Sequence, residues 1–395
     1  MIPRLKPSLD WREIMATFSL PRHDDVERFE RAFAAKMGQK YALAFPYGRT
    51  GLMLLLEALG LKNKEIICPA YTCVVVPHAI VYSGNTPVFV DSQEEDFNMN
   101  LDLVPDVITE NTGAIIATSI FGYPVNLDKL DNIRQKYPHI PIIQDCAHSF
   151  AAEWKGRPVQ KEGIVAIFGL NISKLITSIF GGMVTTDDDE FFERLSTLRT
   201  QRLKPASWAK SVRRLFYLMT VYPTFWEPVY GIINRLERSG ILNYFVKYYD
   251  EGTIDMPLDY LESMSAVEAR VGRVQLEKYD TIIEHRRKVA AFYHEQLQEN
   301  SALHLPLVVE GATYSHYVPR TQNREAVLQR ALKKGIQLGW LIEYSIPEMK
   351  AYYAEEFRDC YRRAHHMSTR TINLPLHLHL TMQQAQEIVQ IWEKK

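Results

Sequence analysis

The sequence predicts an α/β fold, with a mostly parallel central sheet in a large domain and a smaller α/β domain at the C-terminus. The first observation behind this prediction is that apolar strand patterns and amphipathic helix patterns alternate from residue 24 to about residue 200. An aromatic-rich stretch over about 205–250 then interrupts the alternation. A long charged helical pattern and a second, shorter α/β pattern complete the chain. We therefore expect a large domain over 1–255 and a smaller one over 256–395.

Seven short apolar segments are the predicted strands of the sheet. In chain order they read YALAFP, EIICPA, PVFVD, AIIATSIFG, PIIQDCA, VAIFGL and GMVTT. The predicted helices among them read DVERFERAFAAKMG, TGLMLLLEALG, TCVVVPHAIVYSG, LDKLDNIRQKYP and DEFFERLSTLRTQ. Because strands and helices take turns, the sheet should be mainly parallel and covered by helices on both faces. In such sheets, ligands bind at the carboxyl ends of the strands.

The composition is that of a soluble globular enzyme. The chain has 395 residues, of which 46% are hydrophobic and 24% charged, and its formal net charge is -1. This balance shows no basic excess that would favour nucleic acid. The N-terminal sequence MIPRLKPSLDWREIM lacks the apolar core of a secretory signal, which predicts a cytoplasmic protein. Four cysteines without metal-ligand spacing predict reduced thiols and no structural metal.

The C-terminal part is predicted to begin with one long helix, AVEARVGRVQLEKYDTIIEHRRKVAAFYHEQL, which is rich in charge pairs four residues apart. The smaller domain then has two predicted strands, LHLPLV and TYSHYVPRT. Its predicted helices are REAVLQRALKKG and MQQAQEIVQIWEKK.

The insertion over 205–250 admits two interpretations. Its sequence WAKSVRRLFYLMTVYPTFWEPVYGIINRLERSG is broken by Pro223 and Pro228 and carries several charges, so it is too interrupted to span a membrane. One interpretation is a helical insertion that packs on the body of the protein or on a second subunit. The other is a peripheral membrane contact, which the aromatic and arginine-rich edges favour.

One group of candidate site residues lies where the first predicted strand turns into a helix. Gly48, Arg49 and Thr50 occupy this turn. The N-terminus of a helix offers backbone N–H groups and the positive end of the helix dipole, which suit a phosphate. A glycine here can also simply end a strand, so this signal is weak when considered alone.

Two further candidates follow later predicted strands. Asp145 ends the strand PIIQDCA, and His148 comes three residues later. Lys174 is the one charged residue in FGLNISKLITSIFGGMVTT. Considered singly, each has a structural explanation: a helix cap for Asp145, a packed histidine for His148 and a surface lysine for Lys174.

Considered together, these residues fit the binding of pyridoxal phosphate better than any other chemistry. The cofactor requires a lysine for its Schiff base, which Lys174 would supply. It requires a carboxylate that keeps the pyridine nitrogen protonated, so that the ring acts as an electron sink, and Asp145 fits this role. The helix N-terminus would hold the phosphate.

The same residues lie in a series of motifs that resembles the DegT/DnrJ/EryC1/StrS family of sugar aminotransferases, which have the type I fold of pyridoxal phosphate enzymes. The series reads GRTGL, EIICPAYT, PVFVD, IFGYPVNLDKL, IIQDCAHSFAAEWKGRPV, FGLNISK, GGMVTT, MSAVEARVGRVQLEKYD and NLPLHLHLT. The resemblance runs from about residue 24 to the C-terminus, apart from the insertion. It implies the type I fold and, because sites of this family lie between two subunits, a homodimer.

The resemblance also implies roles for single residues. Lys174 corresponds to the Schiff-base lysine, Asp145 to the partner of the pyridine nitrogen and His148 to the residue beside the ring. The remaining implied cofactor-binding residues are Gly48, Arg49, Thr50, Thr72, Cys73 and Ser173. Members that dehydrate sugars carry histidine in place of the lysine, so Lys174 implies transamination.

Four positions depart from the family pattern. They are Cys73, where many members have an aromatic residue on the ring face; Gly169, where a serine reaches the phosphate; and Leu261 and Ser263, where a partner subunit sends asparagine and arginine. We therefore expect some phosphate contacts to come from Arg49 or Ser173.

The implied activity is the transfer of an amino group from an amino acid, glutamate being the expected donor, to a nucleotide-linked keto sugar. Such a reaction would serve cell-surface polysaccharide or related glycan and natural-product biosynthesis. One alternative is an aminotransferase that acts on a lipid-linked or amphipathic ketone at the membrane surface. Another is a non-catalytic regulatory member that keeps the fold.

Overall fold

A computed structural model describes residues 1–20, 22–238, 250–352 and 355–392. The strands are β1 (Tyr41–Phe45), β2 (Glu65–Pro69), β3 (Thr86–Val90), β4 (Thr112–Thr118), β5 (Ile142–Asp145), β6 (Glu153–Trp154), β7 (Arg157–Pro158), β8 (Val165–Gly169) and β9 (Gly182–Thr186). Each of the seven predicted strands coincides with one of these, and β6 and β7 form a separate small hairpin. The α/β fold class is confirmed.

The central sheet has the strand order β1-β9-β8-β5-β4-β2-β3. The five strands from β8 to β3 run parallel, whereas β9 is antiparallel to both of its neighbours. The register of the three central parallel strands pairs Thr118 with Asp145 and Asp145 with Ile167. The carboxyl ends of β4, β5 and β8 therefore meet at one edge of the sheet, as predicted for a ligand site.

The helices cover the sheet and extend into the C-terminal region. They are Trp11–Phe18, Asp25–Met37, Gly48–Ala58, Val75–Tyr82, Val104–Val107, Leu127–Lys136, Asp189–Arg202, Trp208–Val221, Glu227–Arg238, Ala266–Glu277, Tyr279–Leu297, Arg324–Lys333, Arg362–Arg370 and Met382–Val389. Short 3-10 helices include Ile120–Gly122 and Tyr222–Phe225. The helix Trp11–Phe18 has no counterpart among the predicted elements.

The single long helix predicted from residue 266 is in fact two helices that meet at Lys278. At this junction a hydrogen bond spans three residues, where an α-helical hydrogen bond spans four. The N–H of Lys278 donates to the carbonyl of Gln275 at 3.1 Å. The Lys278 ammonium is buried, and its Nζ lies 2.6 Å from Oε1 of Glu13. A charge pattern alone does not show such a tertiary contact, so the prediction of one helix was wrong.

The predicted strands LHLPLV and TYSHYVPRT are not regular strands. Isolated bridges pair His304 with Arg320, Tyr317 with Leu374 and Arg320 with Thr371. Proline lacks the N–H that a ladder needs, and Pro306 and Pro319 interrupt both segments. At these positions, segments of the C-terminal region are therefore joined by isolated β-bridges and not by a continuous strand ladder.

The apolar core joins the sheet to the C-terminal region. One cluster of buried side chains includes Leu54 and Phe121 from the large domain together with Tyr293, Ile372 and Ile391 from the C-terminal part. This shared core holds the C-terminal region against the carboxyl edge of the sheet. The division into 1–255 and 256–395 stays a prediction.

The insertion begins as predicted with a helix that packs on the body. Helix Trp208–Val221 turns Lys210, Arg214 and Leu218 inward, where they are buried. Leu218 joins an apolar cluster with Val267 and Val271 of helix Ala266–Glu277. Residues 239–249 of the insertion lie outside the described residues.

We predict that Gly182→Ala destabilises the fold by about 1–3 kcal/mol. A Cβ at Gly182 would overlap the backbone of Gly48 at the start of helix Gly48–Ala58, and backbone atoms cannot rotate away. Chemical denaturation would measure the change. Gly231→Ala is the matched control, since its Cβ would meet Met1 Cβ at 3.9 Å, an ordinary contact. Equal stability of the Gly182→Ala protein and the parent would contradict the close approach.

Candidate active site

Asp145 is a buried carboxylate at the carboxyl edge of the sheet. It is the last residue of β5 and is 3% exposed. Its Oδ1 accepts from the N–H of Ala147 at 3.0 Å, and its Oδ2 accepts from the hydroxyl of Thr118 at 3.2 Å. Burial raises the pKa of Asp145, while the Ala147 N–H, the charge of Lys174 and the Thr118 hydroxyl act against this rise. The carboxylate is thus fixed in orientation by the neighbouring strand and the following turn.

Lys174 lies in a tight loop that connects β8 to β9. The loop is closed by the N–H of Leu170, which donates to the carbonyl of Gly181, and by the N–H of Ser178, which donates to the carbonyl of Leu170, both at 2.9 Å. Leu175, Ile176 and Ile179 of this loop are buried. These buried side chains explain why the stretch around Lys174 is otherwise uncharged.

The side chain of Lys174 reaches back over the end of β8. A Cβ at Gly169 would lie 3.2 Å from Lys174 Cε, so the absence of a side chain at Gly169 leaves room for the lysine. This contact gives a physical reason for one of the four departures from the family pattern. Although part of the Lys174 side chain remains accessible, burial lowers the pKa of its amine, and the nearby Cys73 and Asp145 oppose that change.

The predicted phosphate cradle is the first turn of helix Gly48–Ala58. Gly51 is the first residue in that turn whose N–H donates within the helix, to the carbonyl of Tyr47 at 3.1 Å. The three N–H groups before it belong to the open end of the helix. A Cβ at Gly48 would lie 3.4 Å from the carbonyl oxygen of Phe168 and 3.5 Å from Cα of Gly169. The cradle therefore lies against the end of β8, and the end of β8 lies against the Lys174 side chain.

The polar side chains of the cradle contact a later part of the same chain. The hydroxyl of Thr50 donates to the carbonyl of Tyr260 at 3.0 Å. The Nη1 of Arg49 lies 3.4 Å from the carbonyl oxygen of Asp255 and 3.7 Å from its Oδ1. The hydroxyl of Tyr47 donates to Oδ1 of Asp259 at 2.6 Å. Residues 255–260 thus form one wall of the cradle, which sequence reasoning missed because they are far away in the chain.

The other predicted cofactor contacts lie around the lysine. Thr72 is buried, and Cys73 is half-buried, in the connection between β2 and helix Val75–Tyr82. The hydroxyl of Ser173 donates to Oδ1 of Asn171 at 2.7 Å, within the loop of Lys174. The roles of these residues toward the cofactor stay predictions.

His148, three residues after Asp145, is held by a turn after β4. Its Nδ1 accepts from the N–H of Phe121 at 3.3 Å, and the two rings stack with centroids 5.8 Å apart. Since Nδ1 accepts, the proton of the neutral ring lies on Nε2. Burial, Lys174 and His316 together hold the pKa of His148 well below its usual range. The imidazole is therefore neutral at physiological pH.

Sequence reasoning missed His316, which the C-terminal region brings to the site. Its ring lies 5.8 Å from that of His148 and 5.6 Å from that of Phe121. Burial and the neighbouring Arg286, Arg4 and Lys174 hold its pKa well below the usual range. The only sequence signal was a histidine within a predicted strand, which is not specific.

The site brings together Lys174, Asp145, His148 and the cradle, as the sequence analysis expected. A buried carboxylate with a raised pKa and an amine with a lowered pKa lie at the same edge of the sheet, and such shifted groups cluster at catalytic sites. The carboxylate oxygens each have one donor in the structure and can accept another. These observations fit pyridoxal phosphate: Lys174 for the aldehyde, Asp145 for the pyridine nitrogen and the helix N-terminus for the phosphate.

A mainly parallel sheet with this lysine, carboxylate and helix end at its carboxyl edge defines a pyridoxal phosphate enzyme of the type I fold. A model of the DegT/DnrJ/EryC1/StrS aminotransferase family matches residues 10–393, and the chain belongs to that family. The protein is accordingly a pyridoxal phosphate-dependent aminotransferase.

Curated relatives cover most of the chain. It is 27% identical over 311 residues to GDP-perosamine synthase of Escherichia coli O157:H7, an alignment that covers 77% of this chain and 73% of the relative. It is 26% identical over 372 residues to dTDP-3-amino-3,6-dideoxy-alpha-D-galactopyranose transaminase of Aneurinibacillus thermoaerophilus, covering 93% and 88%. A solved structure of the sugar aminotransferase CalS13 of Micromonospora echinospora has the same fold, with a TM-score of 0.75, 19% identity and coverage of 99% of each chain.

We predict that Asp145→Asn weakens cofactor binding by about tenfold to a hundredfold, because a hydrogen bond to a charged partner contributes about 1.5–3 kcal/mol. Titration of the apoprotein with pyridoxal phosphate, followed by absorbance, would measure the affinity. Thr118→Ser is the control, since it keeps the hydroxyl that orients Asp145. An Asp145→Asn protein with unchanged affinity would show that Asp145 does not contact the cofactor.

We also predict that the free energy of unfolding falls as the pH drops from about 7 to about 5. The folded-state pKa of His148 lies below the ordinary value of 6.5, so below that value the unfolded chain binds a proton that the folded chain does not. His148→Gln, which does not titrate, should show a smaller fall. Thermal melts of both proteins across this range would test the difference, and equal slopes would contradict it.

Proposed function

We propose that the protein transfers an amino group from glutamate to a nucleotide-linked keto sugar. The observation that carries the proposal is that the Lys174 side chain reaches Gly169 at the end of β8, next to Ala147, whose N–H donates to Asp145. Two curated relatives whose names include a nucleotide and an amino sugar support this substrate class. The reaction would serve the biosynthesis of a cell-surface polysaccharide or a related glycan.

Lys174 performs the covalent step and the proton transfer in this proposal. Pyridoxal phosphate, when bound, supplies an electron-withdrawing ring that stabilises negative charge at the substrate carbon. The Lys174 amine would hold the cofactor through its aldehyde and, in its free form, would accept a proton at Nζ and return it. Burial lowers its pKa, which increases the fraction of the neutral, proton-accepting form.

The residues around Lys174 would bind and orient the cofactor. Asp145 would accept from the protonated pyridine nitrogen of the bound cofactor, whose positive charge would offset the effect of burial on the pKa of the carboxyl group. His148, neutral and stacked on Phe121, supplies an Nε2–H at the ring face. Residues of the cradle, of the connection after β2 and of the Lys174 loop would bind the cofactor phosphate and the second face of the cofactor ring. They are Gly48, Arg49, Thr50, Thr72, Cys73 and Ser173.

The same proposal includes a cytoplasmic homodimer with sites between the subunits. The family resemblance supports the dimer. None of the described helices is both long and apolar enough to cross a membrane.

A second candidate substrate is an amphipathic or lipid-linked ketone. The specific observation in its favour is the apolar outer face of the insertion, where Trp208 is 80% exposed. A non-catalytic role has less support, because the chain retains both Lys174 and Asp145.

We predict that Lys174→Ala lowers turnover by at least about a thousandfold, because it removes both the covalent anchor and the general base. The parent protein, incubated with glutamate alone, should lose the visible absorbance of its bound cofactor in a half-reaction, and a nucleotide-linked keto sugar should restore it. The variant should show neither change. Lys161→Ala, an exposed lysine, is the control.

Two outcomes would contradict the proposal. Turnover by the Lys174→Ala protein at the parental rate would remove the lysine from the mechanism. A parent protein that exchanges its amino group with glutamate and with an amphipathic ketone, but with none of a panel of nucleotide-linked keto sugars, would favour the second candidate substrate.

A further inference from the structure

The insertion contributes a buried positive charge to the surroundings of the cradle. This charge is the guanidinium of Arg214, which helix Trp208–Val221 turns toward the body of the protein. The residue is only 8% exposed. Because a buried charge is costly unless partners compensate it, the partners of this guanidinium show which parts of the molecule it holds together. The reaction proposed for Lys174 assigns no role to this residue.

Arg214 contacts the residue at which the cradle begins. Its Nη2 donates to the hydroxyl of Tyr47 at 2.8 Å. Tyr47 is the N-cap of helix Gly48–Ala58, directly before the N–H groups of the open helix end. Burial raises the pKa of Tyr47, so its hydroxyl stays protonated and donates in turn to Oδ1 of Asp259 at 2.6 Å. The start of the cradle is therefore linked both to the insertion and to the wall formed by residues 255–260.

The same guanidinium contacts the loop of Lys174. Its Cζ lies 4.3 Å from the centroid of the Phe180 ring. Phe180 belongs to the loop between β8 and β9, and its ring meets that of Tyr47 edge-on, with centroids 6.0 Å apart. A cation at this distance over an aromatic face is attracted by the ring. The Lys174 loop and the start of the cradle therefore share one cation.

Two carboxylates fix the orientation of Arg214. Its Nη2 lies 2.8 Å from Oδ2 of Asp259, and its Nε lies 2.9 Å from Oε1 of Glu268, which is fully buried in helix Ala266–Glu277. A planar guanidinium held at two points has a defined direction, which the compact ammonium of a lysine does not reproduce. Arg214 is thus rigid enough to position the aromatic residues that it contacts.

A second inward charge of the same helix binds a segment that departs from the family pattern. Nζ of Lys210 donates to the carbonyl oxygens of Glu262 and Ser263, at 2.6 and 2.9 Å. By the resemblance, Leu261 and Ser263 stand where other members send an asparagine and an arginine to a partner subunit. These side chains cannot supply an amide or a guanidinium. The insertion instead brings its own cations to this side of the cradle.

We propose that Arg214 is a positioning residue for the cofactor phosphate, because it holds Tyr47 and Phe180 so that the first turn of the cradle and the Lys174 loop keep their relative position. It acts through these residues and touches no reacting atom. N–H donors that are already ordered bind an anion more tightly, since less conformational freedom is lost on binding. The inference deepens the proposed function and rests on the cradle as the phosphate site.

The test compares the affinity of the full-length apoprotein for pyridoxal phosphate with its affinity for pyridoxal, which has the same ring and aldehyde but no phosphate. Absorbance titration measures both, and we call their ratio the phosphate preference. Tyr47→Phe keeps the ring and removes the hydroxyl, so it should lower the affinity for pyridoxal phosphate about threefold to tenfold. Arg214→Lys keeps a charge but loses the two-point geometry, and should lower it at least about tenfold. The affinity for pyridoxal should stay within about twofold in both variants, since pyridoxal has no phosphate for the helix end to bind.

A double variant tests whether Arg214 acts through Tyr47. Residues that act as one unit have effects that do not add, so Arg214→Lys/Tyr47→Phe should lose no more phosphate preference than Arg214→Lys alone. Arg213→Gln is the matched control. It removes an arginine from the same helix, but the side chain of Arg213 is 63% exposed and pairs, at 3.9 and 3.8 Å, with Asp259 and Glu262. This variant should keep the parental phosphate preference.

Three results would overturn the proposal: an unchanged phosphate preference in Tyr47→Phe and Arg214→Lys, an equal loss of affinity for both ligands, or additive effects in the double variant. Tyr47→Phe leaves both ion pairs of Arg214 in place, so it decides the matter even where Arg214→Lys does not fold. The half-reaction with glutamate tests the proposed function separately. Amino transfer by these variants at saturating pyridoxal phosphate, with an unchanged phosphate preference, would refute the role of Arg214 alone. A parent protein without phosphate preference would refute the cradle as well.

Discussion

The structure depends on a buried carboxylate that the sheet register fixes at the end of β5. Asp145 has β4 on one side, from which Thr118 donates, and β8 on the other, whose end carries the loop of Lys174. An isolated buried charge is costly, so this arrangement is stable only when a cation or donors face the carboxylate. The register of three parallel strands thus determines where a positively charged ring could be held.

The approach of the cradle to this edge depends on small residues. Gly48, Gly169 and Gly182 lie at three points where a Cβ would meet backbone or the Lys174 side chain. Gly182 lies beside Gly48, and Gly48 lies beside the end of β8. The first turn of the cradle helix can therefore reach the same edge as Lys174, which a larger residue at Gly169 or Gly182 would hinder. The glycine at 169, a departure from the family pattern, thus has a steric function here.

Sequence reasoning predicted the parts of this site that depend on local pattern. The seven strands were visible because parallel strands are buried on both faces and read as short apolar runs. Lys174 and Asp145 were visible because a charge in such surroundings is conspicuous. His316 and the wall formed by residues 255–260 were not visible, because their proximity depends on packing between distant segments. The prediction of two regular strands in the C-terminal region was wrong. Alternation of apolar residues does not show that prolines remove N–H groups that a strand ladder needs.

The insertion over 205–250 is a second example of contacts that the sequence alone does not show. Its aromatic and basic composition was evident, but a sequence does not show which side of a helix faces the body. The structure shows that ion pairs of Arg214 share the inward packing of Trp208–Val221 with the apolar contacts of Leu218. Removing one partner from such a pair leaves an unpaired buried charge and costs about 3–5 kcal/mol, so the helix cannot simply rotate to hide its aromatics. The charges beneath the helix therefore hold its apolar side outward, and the same Arg214 that fixes the helix also contacts Tyr47 at the cradle.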